Sequence, residues 1–201
     1  MNIAVLGTGM VGKALAGGLR AAGHDVRMGS RTAGEDKVTF AEAAEFGELA
    51  FNCTAGAGAL DAVGSAAAGL EGKVLVDVSN PLEHHDDGST TLLVANDDSL
   101  GEQVQRALPG TRVVKALNTM NADLMVNPSL VPGHHVAFVC GDDPAAKTTV
   151  TGLLGEFGWP AERVIDLGDI SAARGTEAYL LIWLRLMGAM GHARFNIAVQ
   201  R

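Results

Sequence analysis

Short runs of consecutive apolar residues alternate along the chain with longer segments whose apolar residues recur every three to four positions. The runs are typical of strands buried on both faces of a sheet, and the segments of helices that cover it. Strands are predicted at 2–6, 49–53, 73–78, 112–116, 135–140 and 163–166, and a further strand ends at 29–31. Helices are predicted at 11–22, 39–46, 100–108, 144–157 and 175–190, and a further helix ends at about residue 70. This alternation predicts an α/β fold, a doubly wound, mostly parallel sheet with right-handed crossovers.

Two segments between these elements carry local signals. Thr39 and Glu42 have the spacing of a capping box, so the helix at 39–46 is predicted to begin at Thr39. The segment 82–98 is polar and rich in turn residues, with Asp86-Asp87-Gly88 near its middle. It is predicted to be an exposed loop.

The last predicted helix, 175–190, differs from the others because it is apolar nearly all round. One stripe and both of its flanks are apolar: Tyr179, Ile182, Trp183, Leu186, Met187 and Met190 in the stripe, with Leu180, Leu181 and Leu184 beside it. Such a helix needs cover on two sides, which is more than one sheet face supplies. We predict a single domain over 1–201, with a sheet core at 1–170 and a C-terminal helical segment at 171–201 that forms a homodimer. Packing within its own chain is the alternative.

A glycine-rich turn follows the first predicted strand. It reads Gly7, Thr8, Gly9, Met10, Val11 and Gly12, which is the G-x-G-x-x-G spacing. In this turn the first glycine makes the bend, the second lets the backbone approach a pyrophosphate, and the third packs the next helix on the sheet. The motif alone is weak, but here it follows an apolar strand and opens a helix. It therefore predicts a dinucleotide-binding Rossmann fold over the core.

The end of the second strand distinguishes between the two nicotinamide cofactors. An NAD-binding domain usually has Asp or Glu about 20 residues after the glycines, where it binds the ribose 2′-hydroxyl. This chain has Gly29-Ser30-Arg31 there and no carboxylate. Ser30 can donate a hydrogen bond, Arg31 has a fork of donors suited to a phosphate, and Thr8 can reach the same anion. We predict NADP(H); a solvated Arg31 without a ligand is the alternative.

Ligands of open α/β sheets lie beyond the carboxyl ends of the strands. Besides the glycine turn, this rule selects the loops at 54–58, 79–81 and 118–122. Polar and small residues in these loops are expected to line the riboses and the nicotinamide. The predicted cofactor-binding residues there are Thr54, Ser79, Asn80, Asn118, Met120 and Ala122.

The sequence predicts no catalytic residue and no metal site. It contains neither a Tyr-x-x-x-Lys nor a Ser-x-x-x-Lys pair, and the adjacent histidines at 84–85 and 134–135 are poorly placed to share a metal. A reaction that needs no general acid requires only that two flat rings are held about 3–3.5 Å apart. This favours hydride transfer between NADPH and a flavin-like or deazaflavin ring. A non-catalytic NADP(H) sensor that signals to a partner is the alternative function.

Composition and charge limit the classes of partner that are expected. A net charge of −8 disfavours nucleic acid and anionic membranes. The longest apolar stretch, 178–190, contains Arg185 and is too short to cross a bilayer. Cys53 and Cys140 have no partner at C-x-x-C spacing and are expected to be buried thiols. We expect a cytoplasmic protein without a targeting segment, whose partner is a small soluble redox acceptor.

Five segments resemble a known family in their order and spacing: 7–12, 29–31, 76–81, 114–119 and 139–143. They are similar to the NADPH-dependent F420 reductases, a family of F420:NADP oxidoreductases and short dinucleotide-binding proteins. The match covers nearly the whole chain. A related domain occurs in membrane ferric reductases. Relatives of pyrroline-carboxylate or hydroxyacid reductases are disfavoured, because they need a helical domain of about 100 residues beyond the sheet.

The resemblance implies a role for each matching segment. Residues 8–11 would wrap the phosphates, Ser30 and Arg31 would hold the 2′-phosphate, and Thr54 would line the groove. Ala122 and the 118–120 loop would lie on the nicotinamide and deazaflavin side. The resemblance also implies direct hydride transfer between nicotinamide C4 and deazaflavin C5, without a dedicated catalytic acid.

The chain departs from the family pattern on the acceptor side. The F420 enzymes carry a Pro-Trp pair where this chain has Ala55-Gly56. They carry His-Thr-Ile-Pro where this chain has Asn118-Thr119-Met120-Asn121.

Overall fold

The computed structural model describes residues 1–200. The strands are β1 (Asn2–Leu6), β2 (Asp25–Ser30), β3 (Val38–Thr39), β4 (Leu49–Asn52), β5 (Val74–Asp77), β6 (Leu82–His84), β7 (Thr90–Leu92), β8 (Arg112–Ala116), β9 (Ala137–Cys140) and β10 (Val164–Asp166). The helices are α1 (Met10–Ala21), α2 (Phe40–Phe46), α3 (Gly56–Ser65), α4 (Ala67–Leu70), α5 (Leu100–Ala107), α6 (Ala122–Val126), α7 (Pro144–Glu156) and α8 (Ala173–Met190). Short 3₁₀ turns lie at Pro128–Leu130, Ala161–Arg163 and Ile170–Ala172.

One sheet runs through the molecule in the order β10-β9-β8-β5-β4-β1-β2-β3. Its neighbouring strands pair parallel except β8 and β9, which pair antiparallel. The chain builds outward from β1 to β2 and β3, and then in the other direction through β4, β5 and β8. The order therefore reverses between β1 and β4, which is where a doubly wound sheet binds its ligand. The predicted mostly parallel α/β fold is confirmed.

Alternate residues of each central strand face opposite layers of helices. In β1, Ile3 and Val5 pack in one hydrophobic core with residues of α1 and α7, while Ala4 and Leu6 pack in the other with residues of α2, α3 and α5. This is the period of two that a strand buried on both faces requires. Each layer holds the carboxyl end of the sheet in a fixed position.

Local signals placed one helix start correctly. Thr39 caps α2: its hydroxyl accepts from the backbone N–H of Glu42, and the Glu42 carboxylate accepts from the backbone N–H of Thr39. The last helix begins two residues earlier than the predicted 175, and Gly191 ends it in the left-handed conformation, with φ of 72°. The edge strand β3 was not predicted, because it contains only two residues.

The prediction of an irregular loop over 82–98 is wrong in part. Residues 82–92 form an antiparallel hairpin, in which Leu82 pairs with Leu92 and His84 with Thr90. The His84 imidazole also bonds the Thr90 hydroxyl, at 2.9 Å from Nδ1 to Oγ1. Strands of three residues are too short to show alternation in the sequence, and turn residues between them dominate the pattern.

The helices of residues 1–200 include none with both the length and the apolar character that a membrane crossing demands.

Candidate functional site

A cleft of about 780 Å³ opens at the carboxyl ends of β1, β2 and β4. It lies where the strand order reverses. Residues of the glycine turn, the β2–β3 loop, α2 and α3 line it: Gly7, Thr8, Gly9, Ser30, Arg31, Thr32, Lys37, Thr39, Phe40, Ala41, Cys53, Thr54, Ala55, Gly58, Asp61, Ala62 and Ser65. Of the predicted residues, the structure brings together Gly7, Thr8, Gly9, Ser30, Arg31 and Thr54 in this cleft. The predicted Met10, Val11 and Gly12 begin α1 and are not among the residues that line it.

Backbone packing explains the glycines of the turn. Gly7 has φ of +118°, and a Cβ there would lie 2.7 Å from the carbonyl oxygen of Cys53. A Cβ on Gly12 would lie 2.1 Å from the carbonyl oxygen of Gly7. A Cβ on Gly9 would meet no atom within 4 Å, so the cleft is open above this residue. The turn is therefore closely packed at Gly7 and Gly12 and open to the cleft at Gly9.

Helix α1 directs its amino terminus at the cleft. Gly9 is its N-cap residue and supplies no side chain, and the first helical hydrogen bond runs from the N–H of Lys13 to the Gly9 carbonyl, at 3.0 Å. The backbone N–H groups of residues 10–12 precede that bond. Together with the helix dipole they favour an anion at this point.

Four polar residues form one corner of the cleft: Ser30, Arg31, Thr32 and Lys37. Arg31 is exposed and Lys37 is half-buried, and in the described part of the chain neither forms an ion pair. Ser30 is a buried residue, 8% exposed, and its hydroxyl donates to the carbonyl of Thr32. The corner therefore has two cationic side chains available for an anion.

Lys37 is a residue that sequence reasoning missed. It lies beyond the second strand and is brought back by a turn in which the N–H of Gly34 bonds the Lys37 carbonyl, at 2.8 Å. The Gly34 turn signal followed by a lysine was the only hint. Nothing in the G-x-G-x-x-G spacing points to it.

Thr54 connects the cleft to the interior of the sheet. Its hydroxyl donates to Asn52 Oδ1 at 2.7 Å, and Asn52 Nδ2 donates to Asp77 Oδ1 at 2.8 Å. The Ser79 hydroxyl donates to the same carboxylate oxygen, also at 2.7 Å. Of the predicted site residues, Ser79 therefore serves this buried network and does not line the cleft.

Asn80 and Asn118 form a reciprocal pair beside the cleft. Asn80 Nδ2 donates to the Asn118 carbonyl, and Asn118 Nδ2 donates to Asn80 Oδ1, each at 2.9 Å. The start of α3 packs on this pair, since a Cβ on Gly56 would lie 2.1 Å from the carbonyl oxygen of Asn80. The position where the family has Trp thus has no room for a side chain.

The remaining predicted residues of the 118–122 loop are packed inward. Met120 is 5% exposed and Ala122 is 4% exposed, and Met120 belongs to the hydrophobic core. Neither lines the cleft around the glycine turn. Just before them, Leu117 has φ of 62°, which is unusual for a branched side chain.

Three ionisable side chains lie beneath these loops. Lys115 Nζ contacts Asp77 Oδ2 at 2.8 Å and Glu177 Oε1 at 2.7 Å. Burial opposes the charge on Lys115, but the two carboxylates outweigh it and raise the pKa of Lys115 above its ordinary value. Sequence reasoning missed this triad, because its members lie on β5, β8 and α8, far apart in the chain.

Both thiols are poor nucleophiles. Burial raises the pKa of Cys53 well above its usual range, and the nearby Asp77 adds to the effect. Burial, above all, raises the pKa of Cys140 to about 12. Both are free thiols. Cys140 is buried as expected, but Cys53 is only half-buried and lines the cleft. Across residues 1–200, no three His, Cys, Asp or Glu side chains are grouped so that they could hold a metal ion.

Comparison with known proteins defines the family. Residues 2–81 match the family model described as "NADP oxidoreductase coenzyme F420-dependent". The F420-dependent NADP reductase of Methanothermobacter marburgensis is 31% identical over 222 residues, and the alignment covers 98% of each chain. The chain belongs to this family of F420-dependent NADP oxidoreductases. The resemblance seen in the sequence, the Rossmann fold and the assignment to NADP-dependent oxidoreductases are thereby confirmed.

The chain is also similar to two further proteins. A crystal structure of a protein assigned as an F420-dependent NADP reductase from Arthrobacter sp. FB24 is 45% identical, with a TM-score of 0.94 and full coverage of both chains. Metalloreductase STEAP3 of Rattus norvegicus is 32% identical over 195 residues, which are 92% of this chain but 37% of that protein. The chain thus spans little more than a third of the metalloreductase.

Proposed function

We propose that this F420-dependent NADP oxidoreductase family member transfers hydride between NADPH and a soluble deazaflavin or flavin-like acceptor. The corner formed by Arg31 and Lys37 carries the proposal. It places two cations at the end of β2, where an NAD-binding domain would have a carboxylate. The only acidic residue lining the cleft within residues 1–200 is Asp61, on α3.

In this proposal the 2′-phosphate lies between Arg31 and Lys37. The pyrophosphate lies over Gly9 at the start of α1, where the backbone is open. Thr54 then contacts the central part of the cofactor. A cation pair facing a phosphate compensates locally for the net charge of −8.

The acceptor would lie beside the nicotinamide, near Asn80 and Asn118. Neither amide can act as an acid or base at neutral pH, and both thiols have raised pKa values. Hydride transfer between nicotinamide C4 and an acceptor ring needs positioning more than proton transfer, so this environment suits it. We assign no catalytic acid.

We also propose a cytoplasmic homodimer formed through α8. Ile182, Leu186 and Met190 are 59%, 38% and 49% exposed, and their spacing of four residues places them on one side of the helix. Leu181, which is 41% exposed, lies beside this face. A second copy would cover these apolar side chains.

A cofactor and acceptor screen tests the proposal. NADPH and NADH are each mixed with the protein and with F420, FMN, FAD or a quinone, and absorbance at the nicotinamide band is followed. We expect oxidation of NADPH in preference to NADH with a deazaflavin or flavin. Binding of NADPH without turnover across the panel would favour the sensor; preference for NADH would contradict the assignment of the phosphate corner.

A further inference from the structure

The buried triad joins the C-terminal helix to the edge of the sheet that holds the cofactor. Asp77 is on β5, Lys115 on β8 and Glu177 on α8, and each is at most 1% exposed. The Lys115 ammonium donates to Asp77 Oδ2 at 2.8 Å and to the Ser79 carbonyl at 2.6 Å, and it forms an ion pair with Glu177 Oε1 at 2.7 Å. Its position is therefore fixed from three directions.

The start of α5 binds the Glu177 carboxyl group of the triad. Glu177 Oε2 accepts from the backbone N–H of Leu100 at 2.8 Å, and Oε1 accepts from that of Gly101 at 2.9 Å. These are the first N–H groups of the helix, which favour a carboxylate. Each of these buried groups has a partner. Removing charges from water is nevertheless costly, and apolar side chains in the same place often stabilise a core equally well.

One branch of the triad leads to the cofactor cleft. Asp77 Oδ1 accepts from Asn52 Nδ2 at 2.8 Å, and Asn52 Oδ1 accepts from the Thr54 hydroxyl at 2.7 Å. Thr54 lines the cleft. Each side chain on this path is hydrogen-bonded to the next, so the buried carboxylate of Asp77 determines the orientation of the Thr54 side chain.

The other branch leads to the proposed acceptor edge. Lys115 holds the carbonyl of Ser79, and the next residue, Asn80, pairs with Asn118. Between Lys115 and Asn118, Leu117 has φ of 62°. A non-glycine residue in that conformation is strained, and it persists where surrounding contacts determine it. Lys115 lies two residues before it, on β8.

We propose that Lys115, braced by Glu177 of the C-terminal helix, is a positioning residue for the nicotinamide half of NADPH and for the acceptor. It sets the ends of β5 and β8 in the geometry that hydride transfer needs. The inference rests on the proposed function, because it assumes that the nicotinamide lies at this edge. It gives α8 a part in the site although the helix does not line the cleft.

The test compares two ligands that share the phosphate corner. NADP⁺ has the nicotinamide half, while adenosine 2′,5′-bisphosphate lacks it. Calorimetry measures both affinities for wild type, for the charge-free variant Asp77→Asn/Lys115→Met/Glu177→Gln, and for Glu177→Gln alone. Lys147→Met is the matched control, since it removes another lysine ion pair, with Asp166, away from the cleft. Thermal unfolding of each protein is measured in parallel.

We expect the charge-free variant to lose about tenfold of the preference for NADP⁺ over the bisphosphate, with the bisphosphate affinity nearly unchanged. Turnover with the acceptor found in the screen should fall about 10²-fold, because small misplacements of reacting rings are costly. Lys147→Met should match wild type in all of these. Glu177→Gln should shift the preference in the same direction, and it decides the matter where the charge-free variant does not fold.

A folded variant with wild-type preference and turnover would overturn the inference and make the triad purely structural. Wild-type protein that binds both ligands equally would also overturn it, while leaving the phosphate corner intact. Wild-type protein that binds neither ligand would show that the proposed function itself is wrong, and the inference with it.

Discussion

Gly7 and Gly12 are in direct backbone contact across the glycine turn. A Cβ on Gly12 would lie 2.1 Å from the carbonyl oxygen of Gly7 and 3.5 Å from Val5 Cγ1. Backbone atoms cannot move aside as a flexible side chain can. The first turn of α1 is therefore seated on the end of β1, which aims the amino terminus of the helix at the cleft.

This contact predicts the effect of Gly12→Ala. The methyl group would push α1 away from the turn, so we expect a loss of about 1–3 kcal/mol in the free energy of unfolding, as overpacking usually costs. NADPH affinity should fall about tenfold or more, because the N–H groups of α1 would no longer converge on the pyrophosphate. Chemical denaturation and fluorescence titration with NADPH measure the two effects.

Gly17→Ala on the same helix is the control. A Cβ at this exposed residue would meet no atom within 4 Å, so alanine should be neutral or stabilise the helix by about 0.5–1 kcal/mol. NADPH binding should stay at the wild-type level. Equal losses in the two variants would show that helix content, not the contact with Gly7, determines binding.

Arg31 and Lys37 should act together on the 2′-phosphate. We expect Arg31→Ala and Lys37→Ala each to weaken NADPH binding about 10- to 100-fold, as lost charge-assisted hydrogen bonds do. NADH binding should hardly change. The double variant should lose less than the sum, because both cations contact one anion. Titration of all four proteins with NADPH and NADH completes the cycle.

Arg27→Ala provides the comparison for this cycle. Arg27 is an exposed arginine of β2, but its guanidinium lies over the Phe46 ring, 4.0 Å from the centroid, and it does not line the cleft. Its removal should leave the ratio of NADPH to NADH affinity unchanged. Weakening of both cofactors in Lys37→Ala would contradict a role confined to the 2′-phosphate.

The ion pair between Glu102 and Arg174 should make stability fall in acid. Arg174 Nε donates to Glu102 Oε2 at 2.8 Å, which links α5 to α8, and this hydrogen bond holds the pKa of Glu102 below its usual 4.5. A lowered carboxyl pKa means that its stabilising contribution is complete above pH 4.5 and is lost as the pH falls through the lowered value.

Thermal unfolding between pH 7 and pH 3 measures this effect. The midpoint of wild type should fall more steeply below pH 4.5 than that of Glu102→Gln, so that the two curves converge in acid. Parallel curves would show that other carboxylates account for the acid instability. Asp98 is one such group, because Arg106 hydrogen-bonds it and lowers its pKa in the same way.

Local rules found the features that are determined by neighbours in sequence. The spacing of Gly7 and Gly12, the position of Arg31 directly after β2 and the capping of α2 by Thr39 each depend on residues within a few positions. They could be predicted because backbone conformation and capping are short-range properties.

Features built from distant residues could not be found in this way. Lys37 reaches the cleft through a turn, and Glu177 meets Lys115 only once α8 has packed on the sheet. Asn80 and Asn118 are paired across 38 residues of sequence. The loop rule placed both at the same edge, but not their contact, nor the inward packing of Met120.

The exposed face of α8 gives the last prediction. If a second copy covers it, light scattering at micromolar concentration should give about twice the chain mass of 20.7 kDa. Ile182→Glu/Leu186→Glu would place two charges in that contact, so we expect a monomer that still binds NADPH, since neither side chain lines the cleft. Leu130 is as exposed as Leu186, at 38%, but lies away from α8. The Leu130→Glu variant should therefore remain a dimer. A wild-type monomer would mean that this face of α8 is not a contact between copies, and would leave its apolar side chains to contacts within one chain.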